Sequence, residues 1–167
     1  MIDVNRRDDF DRTFVVLERG SDWPDWFRQD GLQCASARVI AQTEGESPRQ
    51  LAERVSRAVE RAKTAGELFR LAVLGCNDRV DEPAFRARSQ IARTLLGALQ
   101  HPAGACLRLT ASARHSGRSH HALSGFARGL AEQWEDHGVQ VSARFGAHGS
   151  TRLGRQLGPA REGLRVA

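Results

Sequence analysis

Titratable and hydrogen-bonding side chains are concentrated in one turn of this 167-residue chain, residues 112–121. The turn contains two arginines, three histidines and three serines, and it separates an apolar segment from an amphipathic one. Backbone N–H groups at the start of a helix, together with arginines such as Arg114 and Arg118, bind phosphate and carboxylate groups. The functional interpretation of this turn is anion binding. The structural alternative is an ordinary loop in which Ser116 or Ser119 caps the following helix.

A second polar loop, residues 76–81, follows another apolar segment. If both apolar segments are parallel strands of one sheet, the loops after them lie at the same edge, which is where ligands bind in open α/β sheets. The two loops together supply hydrogen-bond donors, cations and titratable groups. The predicted ligand site comprises Asn77, Asp78, Arg79, Ser112, Arg114, His115, Ser116, Arg118, Ser119 and His120.

The elements that would position these loops alternate between strand and helix. Such alternation is typical of a mainly parallel sheet with helices on both faces. We therefore predict a three-layer, Rossmann-like or flavodoxin-like α/β domain with a five-stranded sheet, whose strand order the sequence leaves open. The domain is expected to span residues 1–146, and the basic, Gly- and Arg-rich tail at 147–167 is expected to be flexible. Apolar and β-branched runs predict strands at 13–18, 37–41, 68–74, 105–111 and 139–145.

The helix after the second strand has a clear start signal. Ser47 is followed by Pro48 and, three residues after the serine, by Gln50, which is a capping-box arrangement with proline at the first helical position. Helical spacing then predicts a buried stripe, and Gly66 is expected to end the helix. The predicted stripe is Leu51, Val55, Ala58, Val59 and Ala62.

Two of the three tryptophans, Trp23 and Trp26, lie in a short predicted helix between Ser21 and Gly31. Aromatic residues in such a segment usually plug the end or edge of a sheet, but they also form partner-binding patches. The sequence leaves open whether this segment is core or interface.

The three cysteines, Cys34, Cys76 and Cys106, are odd in number and lie in or beside apolar segments, so we expect reduced and mostly buried thiols. Cys76 at a strand end, with a histidine across the crevice, would supply a nucleophile and a base. A small hydrolase or transferase that uses Cys76 or a crevice histidine is therefore an alternative to ligand binding. The histidines do not predict a metal site, because no two of them are spaced as H-x-x-x-H and no cysteine has a partner at zinc-ligand spacing.

Charge is unevenly distributed. The net charge is +5, and residues 101–167 carry nine bases against four acids. A basic region of this kind favours anionic partners in general, and nucleic-acid binding through the Arg-rich C-terminal part is a further alternative. That alternative has only charge in its favour, since no aromatic residue for base stacking follows Phe145.

No apolar run is long enough to span a bilayer and no signal peptide is apparent, so we expect a cytoplasmic protein without a membrane partner.

Common catalytic and nucleotide-binding signatures are missing. The chain contains no G-x-x-x-x-G-K-[ST] phosphate loop, no G-x-G-x-x-G after a strand and no G-x-S-x-G nucleophile elbow.

The segment from His121 to Val141 resembles the last helix and strand of short-chain dehydrogenases. Those enzymes use a tyrosine and a lysine, whereas this chain has no tyrosine and its only lysine, Lys63, lies late in a helix. We therefore set the resemblance aside.

The leading hypothesis from the sequence is a regulatory α/β module that binds an anionic or nucleotide-like ligand at the carboxyl ends of the strands. The sequence identifies no particular cofactor. A homo-oligomer is open to the chain as well, because the first or fifth strand could pair with another chain at the edge of the sheet.

Overall fold

The computed structural model describes residues 13–21, 38–99, 105–111, 117–145 and 150–152, with side chains described up to residue 144. The tryptophan segment, Cys34, the first half of the polar turn and most of the predicted tail lie outside these residues. Predictions that concern those parts therefore remain predictions.

The described residues form six strands, three α-helices and one 3₁₀ turn. The strands are β1 (Thr13–Leu17), β2 (Arg38–Ala41), β3 (Leu71–Cys76), β4 (Ala105–Ala111), β5 (Val139–Phe145) and β6 (Ser150–Arg152). The helices are α1 (Pro48–Thr64), α2 (Glu82–Ala98) and α3 (Gly117–Trp134), and the 3₁₀ turn is Glu135–His137.

All six strands belong to one sheet in the order β2-β1-β3-β4-β5-β6. The first five are parallel, which confirms the predicted parallel sheet, and their order is the flavodoxin-like 2-1-3-4-5. A sixth strand, β6, pairs antiparallel with β5. This strand is not among the five predicted from the sequence, and it lies inside the segment predicted to be the tail.

One face of the sheet carries all three helices. Phe14, Ala72, Leu107 and Val141 are register partners across four strands, and each is at most 2% exposed. They belong to a single apolar core with the inward stripes of the three helices. The placement follows from topology, because β2, β3, β4 and β5 advance across the sheet in one direction and right-handed crossovers then lie on one face.

The opposite face is also buried. Its central row is Val15, Val73, Arg108 and Ser142, and none of these residues is more than 6% exposed. The sheet is therefore the middle layer of a three-layer α/β fold, as the sequence predicted. No helix among the described residues is both long and apolar enough to cross a membrane.

Strand β3 begins later than the apolar pattern predicts, at Leu71 instead of residue 68. The preceding Phe69 N–H donates to the carbonyl of Ala98 at 3.2 Å, which ties this stretch to α2 before the ladder starts. The strand then extends through Gly75, where an added Cβ would lie 2.7 Å from Leu17 Cδ2. A glycine allows this close approach between β1 and β3.

Helix α1 begins as predicted. The Ser47 side chain accepts from the Gln50 N–H and the Gln50 side chain accepts from the Ser47 N–H, which completes the capping box. Just before this cap, Glu46 accepts from the Thr43 N–H at 2.9 Å and from Arg54 at 2.8 Å. Burial alone would raise the pKa of Glu46, but these hydrogen bonds together outweigh it and hold the pKa below its ordinary value.

This lowered pKa predicts an acid-dependent contribution to stability. A carboxylate with a folded-state pKa below its unfolded value stabilises the fold above about pH 4.3, and that contribution is lost as the pH falls through the folded-state pKa. The Glu46→Gln variant should lose about 1 kcal/mol at pH 7 and less at pH 3, measured by urea unfolding. Glu53→Gln is the control, because its partner Arg49 has a side chain that is 86% exposed. Equal losses at both pH values for Glu46→Gln would contradict the assignment.

Candidate anion-binding site

The carboxyl ends of β1, β3 and β4 lie at one edge of the sheet. In the order 2-1-3-4-5 the direction of strand addition reverses between β1 and β3, and ligands of such sheets bind beyond the strand ends at that reversal. Three described loops leave this edge, residues 18–21 after β1, residues 42–47 after β2 and residues 77–81 after β3. The N-terminal turn of α3 begins at the same edge, since α3 connects the carboxyl end of β4 to β5.

Asn77, the first predicted site residue, faces inward. Its N–H donates to Glu18 Oε1 at 3.0 Å and its side-chain amide donates to the carbonyl of Arg19 at 2.9 Å. Its Oδ1 accepts from the N–H of Arg79 at 3.1 Å and from the guanidinium of Arg88 at the same distance. Asn77 therefore joins the β1 and β3 loops to each other and to α2.

Asp78 and Ser119 bring the two predicted loops together. Ser119 Oγ donates to the carbonyl of Asp78 at 2.9 Å, and Ser119 is only 3% exposed. Because Ser119 is the third residue of α3, the interpretation of Ser119 as the N-cap is wrong; its side chain instead docks the first turn of α3 on the β3 loop. Arg118 beside it is exposed and His120 is half-buried.

Arg79 lies at the outer rim of the site. Its side chain donates to Asp81 at 2.6 Å, and both side chains are more than 40% exposed. Asp81 also accepts from the N–H of Ala84 at 3.0 Å and so caps α2. The hydrogen bond from Arg79 and then that from Ala84 hold the pKa of Asp81 below its ordinary value.

The structure thus places six of the ten predicted residues at this edge: Asn77, Asp78, Arg79, Arg118, Ser119 and His120. Five of these six residues fall into two groups by their described contacts and exposure. Asn77, Ser119 and the Asp78 carbonyl make internal hydrogen bonds, whereas the Arg79 and Arg118 side chains are exposed. The other four, Ser112, Arg114, His115 and Ser116, lie outside the described residues.

Sequence reasoning missed a buried ion pair at this edge. Arg88 of α2 is completely buried and Glu18, just after β1, is 8% exposed. Arg88 Nε lies 2.9 Å from both carboxylate oxygens of Glu18, and Nη2 lies 2.7 Å from Oε1. A signal for it exists in the sequence, because Arg88 lies at helical spacing from Ala84 and Ala92, on the apolar stripe of α2.

The guanidinium of Arg88 makes further contacts besides its ion pair with Glu18. Nη1 donates to the carbonyl of Arg79 at 2.8 Å, and Cζ lies 5.0 Å from the ring centroid of Phe85. Burial alone would lower the pKa of Arg88. The negative groups around it, with Glu18 in direct contact, outweigh burial and keep the pKa above its ordinary value.

Cys76 does not have the properties of a nucleophile. It is completely buried at the end of β3, and burial, followed by the neighbouring negative charge of Glu18, raises the pKa of its thiol. Cys106 is half-buried, and desolvation raises the pKa of its thiol. Cys76 therefore fits the prediction of a buried thiol, whereas Cys106 is only half-buried. The burial of Cys76 does not favour the alternative in which it acts as a catalytic thiol.

Metal ligation is not apparent in the part of the chain that the structure describes. No group of three or more His, Cys, Asp or Glu side chains there is arranged to hold a metal ion. The groups at this edge that suit a charged ligand are arginine side chains and backbone N–H groups at a helix start, which are groups that bind anions.

Comparison with known proteins supports the fold and identifies no function. No protein family and no curated protein matches the sequence. Among solved structures, this chain is similar to a short-chain dehydrogenase from Salmonella enterica subsp. enterica serovar Typhi strain CT18, with a TM-score of 0.50 and 12% identity. The similarity covers 81% of this chain and 76% of the other. At this identity the similarity supports the Rossmann-like fold alone.

Proposed function

We propose that this protein is a non-catalytic α/β module that binds an anionic, nucleotide-like ligand beyond the carboxyl ends of β3 and β4. The observation that carries the proposal is the hydrogen bond from Ser119 to the Asp78 carbonyl, which holds the first turn of α3 against the β3 loop. Two sources of positive potential then meet at one edge, the N-terminus of an 18-residue helix and the side chain of Arg118.

Arg118 is the residue best suited to contact the ligand. Its side chain is exposed, and within the described part of the chain it has no ion-pair or hydrogen-bond partner. A ligand phosphate would therefore not have to displace an internal carboxylate. Arg79 can contribute only in competition with its bond to Asp81. The position of Arg118 in the first turn also lets a bound anion interact with the helix dipole.

The binding role is favoured over catalysis by what surrounds the site. The only lysine, Lys63, lies in the last turn of α1, and α1 ends where the chain returns to the amino end of β3, at the opposite edge of the sheet. The chain has no tyrosine, and Cys76 is buried. Lysine, tyrosine and cysteine, three side chains that serve as nucleophiles or bases in transferases and hydrolases, therefore supply no exposed reactive group at this edge among the described residues.

The test is to titrate the purified protein separately with ADP, NAD, a phosphosugar and inorganic phosphate. Binding is measured by the shift in melting temperature and by calorimetry. At least one of these ligands should raise the melting temperature in a saturable way. Absence of stabilisation by every ligand at millimolar concentration would reject the proposal.

The matched pair of variants is Arg118→Ala and Arg128→Ala. Both arginines are exposed on α3, but Arg128 lies almost three turns away from the helix start. Loss of one charged contact should weaken binding of the best ligand by roughly tenfold or more for Arg118→Ala and by less than twofold for Arg128→Ala. Equal effects of the two substitutions would show that the ligand lies elsewhere.

A further inference from the structure

The carboxylate of Glu18 occupies a complete set of anion-binding donors. It accepts from Nε and Nη2 of Arg88 and from the backbone N–H of Asn77, at distances from 2.7 to 3.0 Å. Proteins bind carboxylate ligands with donors of this kind, a planar guanidinium group together with a backbone N–H group. Here the acceptor is a side chain of the same protein.

The donors are held in place by contacts that do not involve Glu18. Arg88 Nη1 donates to the Arg79 carbonyl and Nη2 donates to Asn77 Oδ1, and the guanidinium lies over the ring of Phe85. Asn77 is in turn fixed by its bond to the Arg19 carbonyl. The geometry of the donors should therefore persist when the Glu18 side chain is shortened.

The location is also that of a ligand site. Glu18 follows β1 directly, Asn77 follows β3 directly, and the pair of strands β1 and β3 marks the reversal of strand order at which ligands bind in this fold. We propose that Arg88 and the Asn77 N–H form a carboxylate-binding site that this protein fills with its own Glu18 as an internal ligand. The class of external ligand that fits is a small aliphatic monocarboxylate.

The size of that ligand follows from the side chain that it replaces. Glu18→Ala removes Cγ, Cδ and the two oxygens, which are the same four heavy atoms as acetate, and Glu18→Gly removes the equivalent of propionate. The thermal unfolding of Glu18→Ala should therefore show a saturable increase in melting temperature with acetate. Glu18→Gly should respond more strongly to propionate than to acetate.

Two controls separate this site from general ion effects. The wild type and Glu18→Gln keep the space filled, so acetate should change their melting temperatures no more than chloride does at equal ionic strength. Acetamide has the shape of acetate without its charge, and it should not stabilise Glu18→Ala.

A buried arginine without its carboxylate can prevent folding, so the second measurement is refolding. If Glu18→Ala does not fold in chloride, acetate should raise the recovered folded fraction above that obtained in chloride. An acetate response of Glu18→Ala no larger than that of the wild type, in both assays, overturns the proposal.

This inference is independent of the proposed function, because it uses Arg88 and Asn77 and not Arg118. The double variant Glu18→Ala/Arg118→Ala should keep its acetate response. Its loss would overturn the assignment of the site to Arg88, whereas failure of nucleotides to bind the wild type would leave the acetate result unaffected.

Discussion

Replacing Arg88 with methionine is expected to lower the free energy of unfolding by about 3–5 kcal/mol. The substitution keeps an apolar stem on the α2 stripe but leaves the Glu18 carboxylate, only 8% exposed, without its charged partner. It also removes the donors to the carbonyls of Arg79 and Asn77. Since small domains have a total stability of about 5–15 kcal/mol, this loss should be visible in urea unfolding at pH 7.

The informative control is the double variant Glu18→Leu/Arg88→Met. Replacing both members of a buried ion pair by apolar residues is often neutral or stabilising, because neither charge is then left desolvated. The double variant should therefore be more stable than Arg88→Met alone. If Arg88→Met is within about 1 kcal/mol of the wild type, the ion pair does not organise this edge of the sheet as described here.

The second large effect is expected in the apolar core. Phe14 and Phe69 are at most 1% exposed, and their rings meet edge-to-face with centroids 5.3 Å apart. Phe14→Ala should destabilise the protein by about 3–5 kcal/mol, since it removes a fully buried ring from β1 and leaves a cavity in the apolar core beside Phe69. Thermal or urea unfolding measures this loss.

A second aromatic pair provides the comparison. Phe85 of α2 and Phe126 of α3 also meet edge-to-face, at 5.6 Å, but both residues are only half-buried. Phe126→Ala should therefore destabilise the protein by less than Phe14→Ala, because less apolar surface returns to water. The opposite order of the two effects would mean that the core is centred between α2 and α3 and not on the sheet.

The parts of the fold that could be predicted from the sequence are those with local causes. The capping box at Ser47 and the stripe on α1 are set by neighbouring residues, and four of the five predicted stripe positions, Leu51, Val55, Val59 and Ala62, are at most 1% exposed. The strand order is not local, because a β-α-β unit has the same pattern whichever side of β1 its second strand joins. Strand β6 has three residues, too few for a periodic pattern.

The candidate site also has one part that could be predicted from the sequence and another that could not. Polar residues after β3 and at the start of α3 could be placed at one edge, because parallel strands put their exit loops together. The roles of those residues could not be predicted, since Asn77 turns inward only because Glu18 and Arg88 lie there. Glu18 and Arg88 are 70 residues apart in the sequence, and only the tertiary fold brings them into contact.

The claim that an anionic ligand binds at the edge formed by the β3 loop and the first turn of α3 is tested most directly by amide chemical shifts. An NMR titration of the protein with ADP should produce its largest shifts in residues 78–81 and 117–120, and Arg118→Ala should reduce them. Largest shifts on the outer faces of α1 and α2, or no shifts at millimolar ADP, inorganic phosphate and NAD, would contradict the claim.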